Sequence, residues 1–154
     1  INFYFSTSFT TRPRRDNEKE GEDYYFISNQ EFNDLIDNNE MLEYEEYGGY
    51  LYGTPNSEII RDGIVILDLE VNGATKLLKS NNDYIGIFID INDDELIKRL
   101  VSRGHDQEFI NKRMILANSQ REHKGEYDYY IENQNLNTAV NNIIDIICKL
   151  EEQW

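Results

Sequence analysis

The sequence is poor in positive charge, cysteine and long apolar runs. Against 30 Asp and Glu residues it carries 15 Lys and Arg residues, which gives a formal net charge of -15. So acidic a chain repels polyanions, which disfavours general binding to nucleic acid or to an acidic membrane surface. No apolar run approaches the roughly 18 residues of a membrane span, and no basic segment followed by an apolar one opens the chain. We therefore expect no nucleic-acid partner and no membrane partner.

The single cysteine, Cys148, excludes an internal disulfide, so nothing argues for an oxidising compartment and we expect a cytoplasmic protein. His105 and His123 are not spaced with cysteines or acids as metal ligands would be, so no residues are assigned to a metal. At 154 residues the chain fits a single domain, residues 1–154, with one sizeable core. The chain begins at Ile1 rather than Met, which indicates a fragment or a lost beginning.

The scarce positive charge is concentrated in two places. Of eight arginines, three lie near the start and three lie later, at Arg12, Arg14 and Arg15 and at Arg99, Arg103 and Arg113. Guanidinium groups bind phosphate oxygens bidentately, so such clusters suit a phosphate ligand. Taken in isolation, a solvated basic loop is the ordinary interpretation of the first cluster. In so acidic a chain, the concentration indicates a local anionic ligand.

The pattern of apolar residues, caps and turns predicts an α/β fold. Gly48-Gly49 predicts the turn of a hairpin, and two continuous apolar runs predict strands of a parallel sheet. Strands are predicted over residues 3–9, 24–27, 41–47, 50–53, 64–69, 84–91 and 129–132. The Arg-rich stretch 10–23 is predicted to be a loop.

Helix starts are marked by capping residues. Ser28 and Glu31 form a capping box, Thr54-Pro55 resembles a cap followed by proline at the first helical position, and Asn92 precedes a first turn rich in acids. Helices are predicted from Ser28 to about Asn38, from Thr54 to Asp62-Gly63, from Asn92 to Arg103, from about Gln107 to Glu122, and over the apolar spacing from Leu136 to Leu150.

Several motifs resemble those of guanylate kinases. SFTTRPRR at residues 8–15 and GEDYYF at 21–26 are similar to the opening of the monophosphate-binding region of that family. Later motifs are LEY at 42–44, YLYGT at 50–54, DLEVNG at 68–73, RG at 103–104 and YDYYIEN at 127–133. The resemblance implies a P-loop-kinase-like parallel sheet flanked by helices. It further implies a small β-rich GMP-binding region at about 8–62, a helical lid at about 92–122, and a core formed by the remainder.

The resemblance also implies an activity. Guanylate kinases are nucleotide-binding transferases of purine metabolism that move the γ-phosphate of ATP to GMP, giving GDP and ADP. The implied partners are GMP and ATP, and the implied cofactor is Mg²⁺ bound with ATP. Asn133 matches a family position near the adenine of the donor.

The first basic loop would hold the acceptor phosphate. By the resemblance, Arg12 and Arg15 bind the phosphate of GMP, Tyr24 adds a hydroxyl, and Ser8 contacts the base. Arg14 stands where the family usually has proline, which moves the proline to position 13. Both phosphate-binding arginines are retained.

The hairpin would recognise guanine. By the resemblance, Glu43 accepts hydrogen bonds from the guanine edge. Tyr52 and Thr54 are supporting ligands, whose hydroxyls hold the phosphate and the base. A carboxylate suits guanine because N1 and N2 are donors, whereas adenine presents an acceptor at N1 and leaves the acceptors of the site unpaired. For Tyr50 and Tyr52, cross-strand packing in the hairpin is the alternative.

Asp68 and Glu70 follow a predicted parallel strand, where ligands of open α/β sheets bind. We expect the two carboxylates to point the same way on that strand, before a turn that ends at Gly73. They would bind guanine or organise the water shell of Mg²⁺. One helix cap and one surface acid is the alternative.

The second cluster would form the lid. Arg99 and Arg103 are four residues apart and share a helix face, and Arg113 lies on the next helix. By the resemblance these three are catalytic: they close over the donor and neutralise charge on the transferred phosphoryl group. The alternative is ordinary helix-surface pairing with Asp94 and Glu95.

A phosphate-binding P-loop does not occur in the sequence. Family members begin with a strand, a Gly-rich loop ending in Lys-Ser or Lys-Thr, and a helix that together cradle the donor phosphates. This chain starts at the following strand, so the first strand and the P-loop are absent from it. We expect these residues alone to bind GMP and to transfer phosphate poorly or not at all. An inactive guanylate-kinase-like module for GMP or phosphorylated peptides is the alternative.

Overall fold

A computed structural model describes residues 2–81 and 83–151 and bears out the α/β class. Ile1, on which the prediction of a fragment rests, lies outside the described residues. The strands are β1 (Phe3–Phe5), β2 (Phe9–Thr10), β3 (Tyr25–Phe26), β4 (Met41–Tyr47), β5 (Tyr50–Pro55), β6 (Ile64–Ile66), β7 (Ile87–Asp90) and β8 (Tyr129–Glu132). The helices are α1 (Asn29–Asp37), α2 (Val71–Ser80), α3 (Asp93–Ser102), α4 (Gln107–Arg121) and α5 (Leu136–Glu151). The chain divides into two compact units between Leu77 and Leu78.

The first unit holds a mixed four-stranded sheet and a parallel strand pair. The sheet has the order β3-β2-β5-β4, and β1 pairs with β6. β4 and β5 form the predicted hairpin, with Gly48 and Gly49 at φ values of 61° and 82°. Glycine is the residue that adopts these left-handed conformations without a steric cost, so the paired glycines close the turn.

The predicted strand over residues 3–9 is wrong, because the segment divides between two sheets. β1 pairs in parallel with β6, while β2 lies between β3 and β5 in the other sheet. At the break, the Thr7 N–H donates to a carboxylate oxygen of Glu58 at 3.0 Å instead of to a neighbouring strand. Glu58 is 4% exposed, so this contact fixes the chain where it leaves β1 and approaches Ser8.

The predicted helix start at Thr54 is also wrong. Thr54 and Pro55 are the last residues of β5, and a short 3₁₀ turn follows at Asn56–Ile59. Thr54 lies opposite Glu43 in the sheet, and its N–H and hydroxyl donate to that carboxylate. A partner across the sheet therefore replaces the local capping role that the Thr-Pro pair indicated.

The capping box of α1 is confirmed. The Ser28 hydroxyl accepts from the Glu31 N–H at 3.2 Å, and the Glu31 carboxylate accepts from the Ser28 N–H at 2.8 Å. Phe32, fully buried, packs its ring against Tyr44 of β4 with centroids 6.5 Å apart. One face of the hairpin is thus covered by α1, and the other carries Glu43 and Thr54.

In the second unit, β7 and β8 form a parallel pair and three helices follow the predicted bounds closely. The Asn92 side chain caps α3 by accepting from the Glu95 N–H at 2.9 Å, and Gly104, at φ 81°, follows its end. The predicted strand over residues 84–91 is shorter, at Ile87–Asp90. The apolar residues of this unit with the least exposure are Phe88, Leu100, Ile110, Ile131 and Ala139. Within the described ranges no helix has both the length and the apolar character to cross a membrane.

Candidate functional site

Arg12, the first predicted phosphate ligand, is held by a carboxylate of its own loop. Its Nη2 donates to Glu18 Oε1 at 2.7 Å, and its Nη1 donates to Glu18 Oε2 at 3.0 Å and to the Pro13 carbonyl at 2.8 Å. Both side chains of the pair are 11% exposed. The geometry is the bidentate fork that arginine forms with carboxylates and phosphates.

Glu18 also organises Arg15. The Arg15 N–H donates to Glu18 Oε2 at 2.8 Å, while the Arg15 guanidinium is 3.9 Å from Glu18 Oε1 and 70% exposed. The hydrogen bonds from Arg12 and from the Arg15 backbone lower the pKa of Glu18 to about 2. Sequence reasoning did not select Glu18. It is one of several acids that follow the arginines, and the one signal for it was its position six residues after Arg12.

Aromatic side chains enclose Arg12. Its guanidinium carbon lies 5.6 Å from the ring centroid of Tyr24 and 5.7 Å from that of Phe26. The Tyr24 ring is 5.9 Å from the ring of Tyr52, and Tyr52 interacts with Arg12. Burial, followed by the charges of Tyr52 and Asp68, raises the pKa of Tyr24, so its hydroxyl keeps its proton at neutral pH. Three predicted phosphate ligands, Arg12, Tyr24 and Tyr52, are therefore together.

A second group of predicted residues meets at the end of the hairpin. The Thr54 N–H and hydroxyl donate to Glu43 Oε1 at 3.0 and 2.8 Å. The hydroxyls of Ser8 and Thr54 lie 3.2 Å apart. Thr54 is fully buried. The predicted base-binding residues Ser8, Glu43 and Thr54 are thus joined by hydrogen bonds.

The Glu43 carboxylate packs directly against α2. Burial raises its pKa, the two hydrogen bonds from Thr54 oppose that rise, and the charge of Glu45 adds to it. A Cβ at Gly73 would lie 2.6 Å from Glu43 Oε2, so only glycine leaves room for the carboxylate in this position. Oε1 is occupied by Thr54, and Oε2 is the oxygen that remains for a ligand's donor.

Glu45 lies two residues further along β4, opposite Tyr52. Its Oε1 accepts from the Asn72 side chain at 2.6 Å, and within the described part of the chain its buried Oε2 has no hydrogen-bond partner. Sequence reasoning did not select Glu45. The negative charge of Glu45 affects the candidate site because it raises the pKa of Glu43.

Asp68 and Glu70 do not lie on a strand, so the prediction that they point the same way from one is wrong. β6 ends at Ile66, and both acids are exposed in the segment that leads into α2. The Glu70 carbonyl accepts from the Ala74 N–H at 3.0 Å, which makes Gly73 part of the first helical turn rather than the end of a separate turn. Asp68 still acts on the site, because its charge contributes to the raised pKa of Tyr24.

The three predicted lid arginines lie in the second unit. Arg99 donates through Nε to Glu95 at 3.0 Å and through Nη2 to the carbonyls of Asn133 and Gln134, both at 3.0 Å. The surface pairing considered as an alternative is therefore present for Arg99. Arg103 follows α3 and is exposed, and Arg113 is half-buried on α4, which contacts α3.

Asn133 lies just after β8, where its N–H donates to the Asp90 carbonyl at 2.7 Å. Among the described residues its side-chain oxygen is a buried atom without a hydrogen-bond partner. Such an acceptor is satisfied when a ligand or a water donates to it.

A further charged cluster in this unit was not anticipated. Arg121 donates to Asp90 at 2.9 and 3.0 Å, to Asp93 at 2.6 Å and to the Ile91 carbonyl at 2.5 Å. It lines a cavity of about 410 Å³ whose other walls are mainly acidic. The contact joins residues about 30 positions apart in sequence, so local patterns carry no signal for it. In the described ranges no three His, Cys, Asp or Glu side chains are grouped as metal ligands.

Comparisons with known proteins agree on one family. The family model described as guanylate kinase matches residues 1–150. The chain is 42% identical over 151 residues to the guanylate kinase of Streptococcus thermophilus (strain CNRZ 1066), covering 94% of this chain and 72% of that protein. It is 40% identical over 151 residues to the guanylate kinase of Enterococcus faecalis, covering 94% of this chain and 74% of the relative.

A solved structure gives the same result for the fold. The crystal structure of guanylate kinase from Anaplasma phagocytophilum matches with a TM-score of 0.80 and 30% identity over 96% of this chain and 75% of that chain. The match bears out the P-loop-kinase-like class expected from the motifs. On both the family model and these relatives, the chain belongs to the guanylate kinase family.

Proposed function

We propose that the first unit binds GMP as the phosphoryl acceptor of the family reaction, in which ATP donates its γ-phosphate to give GDP and ADP. The observation that carries this proposal is the pairing of two different groups of side chains in one unit. One group, Arg12, Tyr24 and Tyr52, suits a phosphate, and the other, Ser8, Glu43 and Thr54, suits a base. A nucleoside monophosphate presents both chemistries.

Guanine is the base that Glu43 selects. The Thr54 N–H and hydroxyl fix Oε1, and the contact with Gly73 fixes the direction of Oε2. N1–H and the 2-amino group of guanine then donate to the carboxylate. Adenine offers an acceptor at N1, which would face the carboxylate unpaired, and an unpaired buried charge costs far more than a lost contact.

The phosphate lies at the other end, against Arg12 and Arg15. The hydroxyls of Tyr24 and Tyr52 donate to phosphate oxygens, and the raised pKa of Tyr24 keeps the proton on its hydroxyl at neutral pH. Because Glu18 balances one positive charge, the two arginines and Glu18 leave a net charge of about +1 for the dianion, and the hydroxyls supply the remaining donors.

The second unit serves the donor in this proposal. Arg99, Arg103 and Arg113 neutralise charge that develops on the transferred phosphoryl group, which is the main task in a reaction with a loose, anionic transition state. The buried Asn133 oxygen accepts from the 6-amino group of adenine. A cytoplasmic location remains a prediction that accompanies this role in purine metabolism.

Mg²⁺ would enter with ATP. Mg²⁺ keeps several of its waters and is bound by one or two carboxylates together with substrate phosphates rather than by a protein cage. Asp68 and Glu70 fit this requirement, since they are exposed carboxylates before α2 and the charge of Asp68 acts on Tyr24. When bound with ATP, the ion would neutralise charge on the donor phosphates.

Isothermal titration with GMP and AMP tests the acceptor assignment. We expect binding of GMP, about 100-fold weaker binding of AMP, and loss of the difference in Glu43→Gln, whose amide cannot accept both guanine donors. Glu46→Gln is the matched control, because Glu46 neighbours this site on the same strand but is exposed. A folded chain that binds neither nucleotide, or that binds GMP and AMP equally, would overturn the proposal. Binding of a phosphorylated peptide in place of GMP would favour the module without catalysis.

A further inference from the structure

The bond pattern around Arg12 leaves one edge of its guanidinium available. A guanidinium has five N–H groups that form two forks, one from Nη1 and Nη2 and one from Nε and Nη2. Glu18 occupies the first fork with both oxygens, and the Pro13 carbonyl takes the second hydrogen of Nη1. Among the described residues, Nε donates to no carboxylate or carbonyl, and the Tyr52 side chain is the further polar group that interacts with the guanidinium. The edge formed by Nε and Nη2 therefore has no anionic partner and suits a second anion that binds beside the Tyr52 hydroxyl.

The guanidinium is also fixed in orientation. Tyr24 and Phe26 place their ring centroids 5.6 and 5.7 Å from its central carbon, and its side chain is 11% exposed. Glu18 is itself anchored, because the Arg15 N–H donates to it at 2.8 Å and its own N–H donates to the Arg15 carbonyl at 3.1 Å. The pair therefore has little freedom to rotate, and the edge formed by Nε and Nη2 keeps one direction.

We propose that Glu18 is a positioning residue for the acceptor phosphate: it holds the Arg12 guanidinium so that the edge formed by Nε and Nη2 receives the phosphate oxygens. This inference rests on the proposed function, in which Arg12 binds the phosphate of GMP. Glu18 touches neither substrate nor reacting atoms: it acts through Arg12, and its hydrogen bond from the Arg15 backbone anchors it. The Glu18 carboxylate contacts both arginines of this loop, through the Arg12 side chain and the Arg15 N–H.

Positioning fits the contacts better than competition for the same site. If Glu18 had to leave when GMP binds, its carboxylate would give up three hydrogen bonds, from Arg12 Nη1, Arg12 Nη2 and the Arg15 N–H. A phosphate on the other edge requires none of these bonds to break. A preordered arginine also loses less conformational entropy when the ligand binds, so the arrangement strengthens affinity.

The test compares GMP with guanosine, which carries the same base and no phosphate. Both ligands are titrated calorimetrically into the unaltered chain and into Glu18→Gln, Arg12→Lys and the double variant. Glutamine offers one acceptor oxygen in place of two and no charge, so we expect GMP affinity to fall about tenfold and guanosine affinity to change less than about twofold. Retained guanosine binding also reports that the variant is folded.

The double variant tests whether Glu18 affects GMP binding through Arg12. Lysine cannot form a second fork, so in the Arg12→Lys background we expect Glu18→Gln to change GMP affinity less than about twofold. Glu22→Gln is the matched control from the same loop, because Glu22 pairs only with the exposed Lys19 at 3.0 Å among the described residues. Should Glu18→Gln not fold, Glu18→Asp, which retracts the carboxylate by one methylene, carries the same comparison.

Each outcome has one meaning. An equal loss of GMP and guanosine affinity would make Glu18 a structural residue only, and a gain in GMP affinity would make it a competitor for Arg12. If Glu18→Gln lowers GMP affinity as much in the Arg12→Lys variant as in the unaltered chain, Glu18 does not act through Arg12. All three overturn the inference. If Arg12→Lys alone leaves GMP affinity unchanged, the phosphate assignment in the proposed function is at fault.

Discussion

Arg12 in the first unit and Arg99 in the second both form an ion pair with a glutamate of their own segment, yet their surroundings differ. Arg12 and Glu18 are each 11% exposed and are joined by a fork, whereas Arg99 and Glu95 are 33% and 27% exposed and are joined through Nε. Tyr24 and Phe26 enclose Arg12. Arg99 lies four residues after its partner on α3, an ordinary helix-surface spacing.

The difference separates an arginine enclosed by aromatic side chains from one held by a helix-surface carboxylate and by backbone carbonyls. Arg12 belongs to a set of contacts that also holds Tyr24 and Tyr52, and its orientation is fixed before a ligand arrives. Arg99 forms a helix-surface pair with Glu95, of a kind that contributes about 0–1 kcal/mol to stability, and it also donates to the carbonyls of Asn133 and Gln134. The proposed acceptor site accordingly draws its residues from the first unit alone.

The largest expected effect contrasts the two arginines directly. Arg12→Ala removes the fork toward the phosphate and should weaken GMP binding about 100-fold, whereas Arg99→Ala should change it less than about twofold. Isothermal titration of GMP into both variants measures the contrast. Comparable losses in the two variants would break the distinction between the units.

A smaller effect is expected where Glu43 meets α2. Gly73→Ala places a Cβ 2.6 Å from Glu43 Oε2 and must displace the carboxylate. We expect guanosine affinity to fall about tenfold, because the acceptor moves out of line with the guanine donors.

Gly125→Ala is the control for this substitution. A Cβ at Gly125 would have no heavy atom within 4 Å, and its φ is not in the left-handed region. Unchanged guanosine affinity in Gly73→Ala, with the chain folded as judged by circular dichroism, would remove Gly73 from the account of specificity.

The pH dependence of guanosine binding should be modest in size and specific to Glu43. Burial raises the pKa of Glu43 above its ordinary value of 4.5. Binding requires the carboxylate, so affinity should decrease as the pH falls through this raised pKa, by about tenfold per pH unit at most. Guanosine is used because it has no phosphate to titrate. The dependence should disappear in Glu43→Gln, and a variant that keeps it would show that another group is responsible.

The raised pKa of Glu43 also affects folding stability, which changes with pH in the opposite direction to guanosine affinity. Because the folded chain binds this proton more tightly than the unfolded chain, the Glu43 contribution favours folding at low pH and is lost as the pH rises through the folded-state pKa. Glu18 behaves conversely. Its pKa is lowered to about 2, so its contribution is present above 4.5 and is lost as the pH falls toward 2.

The smallest effect concerns the pair on α3. Glu95→Gln removes the ion pair with Arg99 at an i, i+4 spacing and the weaker pair with the exposed Lys98. Both are partly solvated, so the midpoint of thermal unfolding should shift by about 3 °C or less. Differential scanning calorimetry measures the shift. A decrease several times larger would mean that the pair of Arg99 and Glu95 contributes to stability as a buried pair such as Arg12 and Glu18 would.

Local signals in the sequence predicted several elements well. The Gly48-Gly49 pair fixes the hairpin because paired glycines adopt the left-handed conformations of its turn, and Ser28 with Glu31 fixes the start of α1. These signals depend on residues within a few positions of each other. The family motifs led to Arg12 and Glu43 for the same reason, since each motif is a short run.

Contacts between distant segments could not be predicted in this way. The local sequence at Thr54 indicates a helix cap. In the structure, however, both donors of Thr54 bind the carboxylate of Glu43, eleven residues away. The division of residues 3–9 depends on Glu58, 51 residues beyond Thr7. Glu18 is close to Arg12 in sequence, but its role depends on the conformation of an irregular loop, for which no periodicity exists.

The most direct test of the central claim is a crystal structure of this chain grown with GMP. The account predicts guanine N1 and N2 within hydrogen-bonding distance of the Glu43 carboxylate, and the phosphate on the Nε and Nη2 edge of Arg12 with Glu18 still on the opposite fork. A GMP bound away from both Glu43 and Arg12 would contradict the claim that the first unit alone forms the acceptor site.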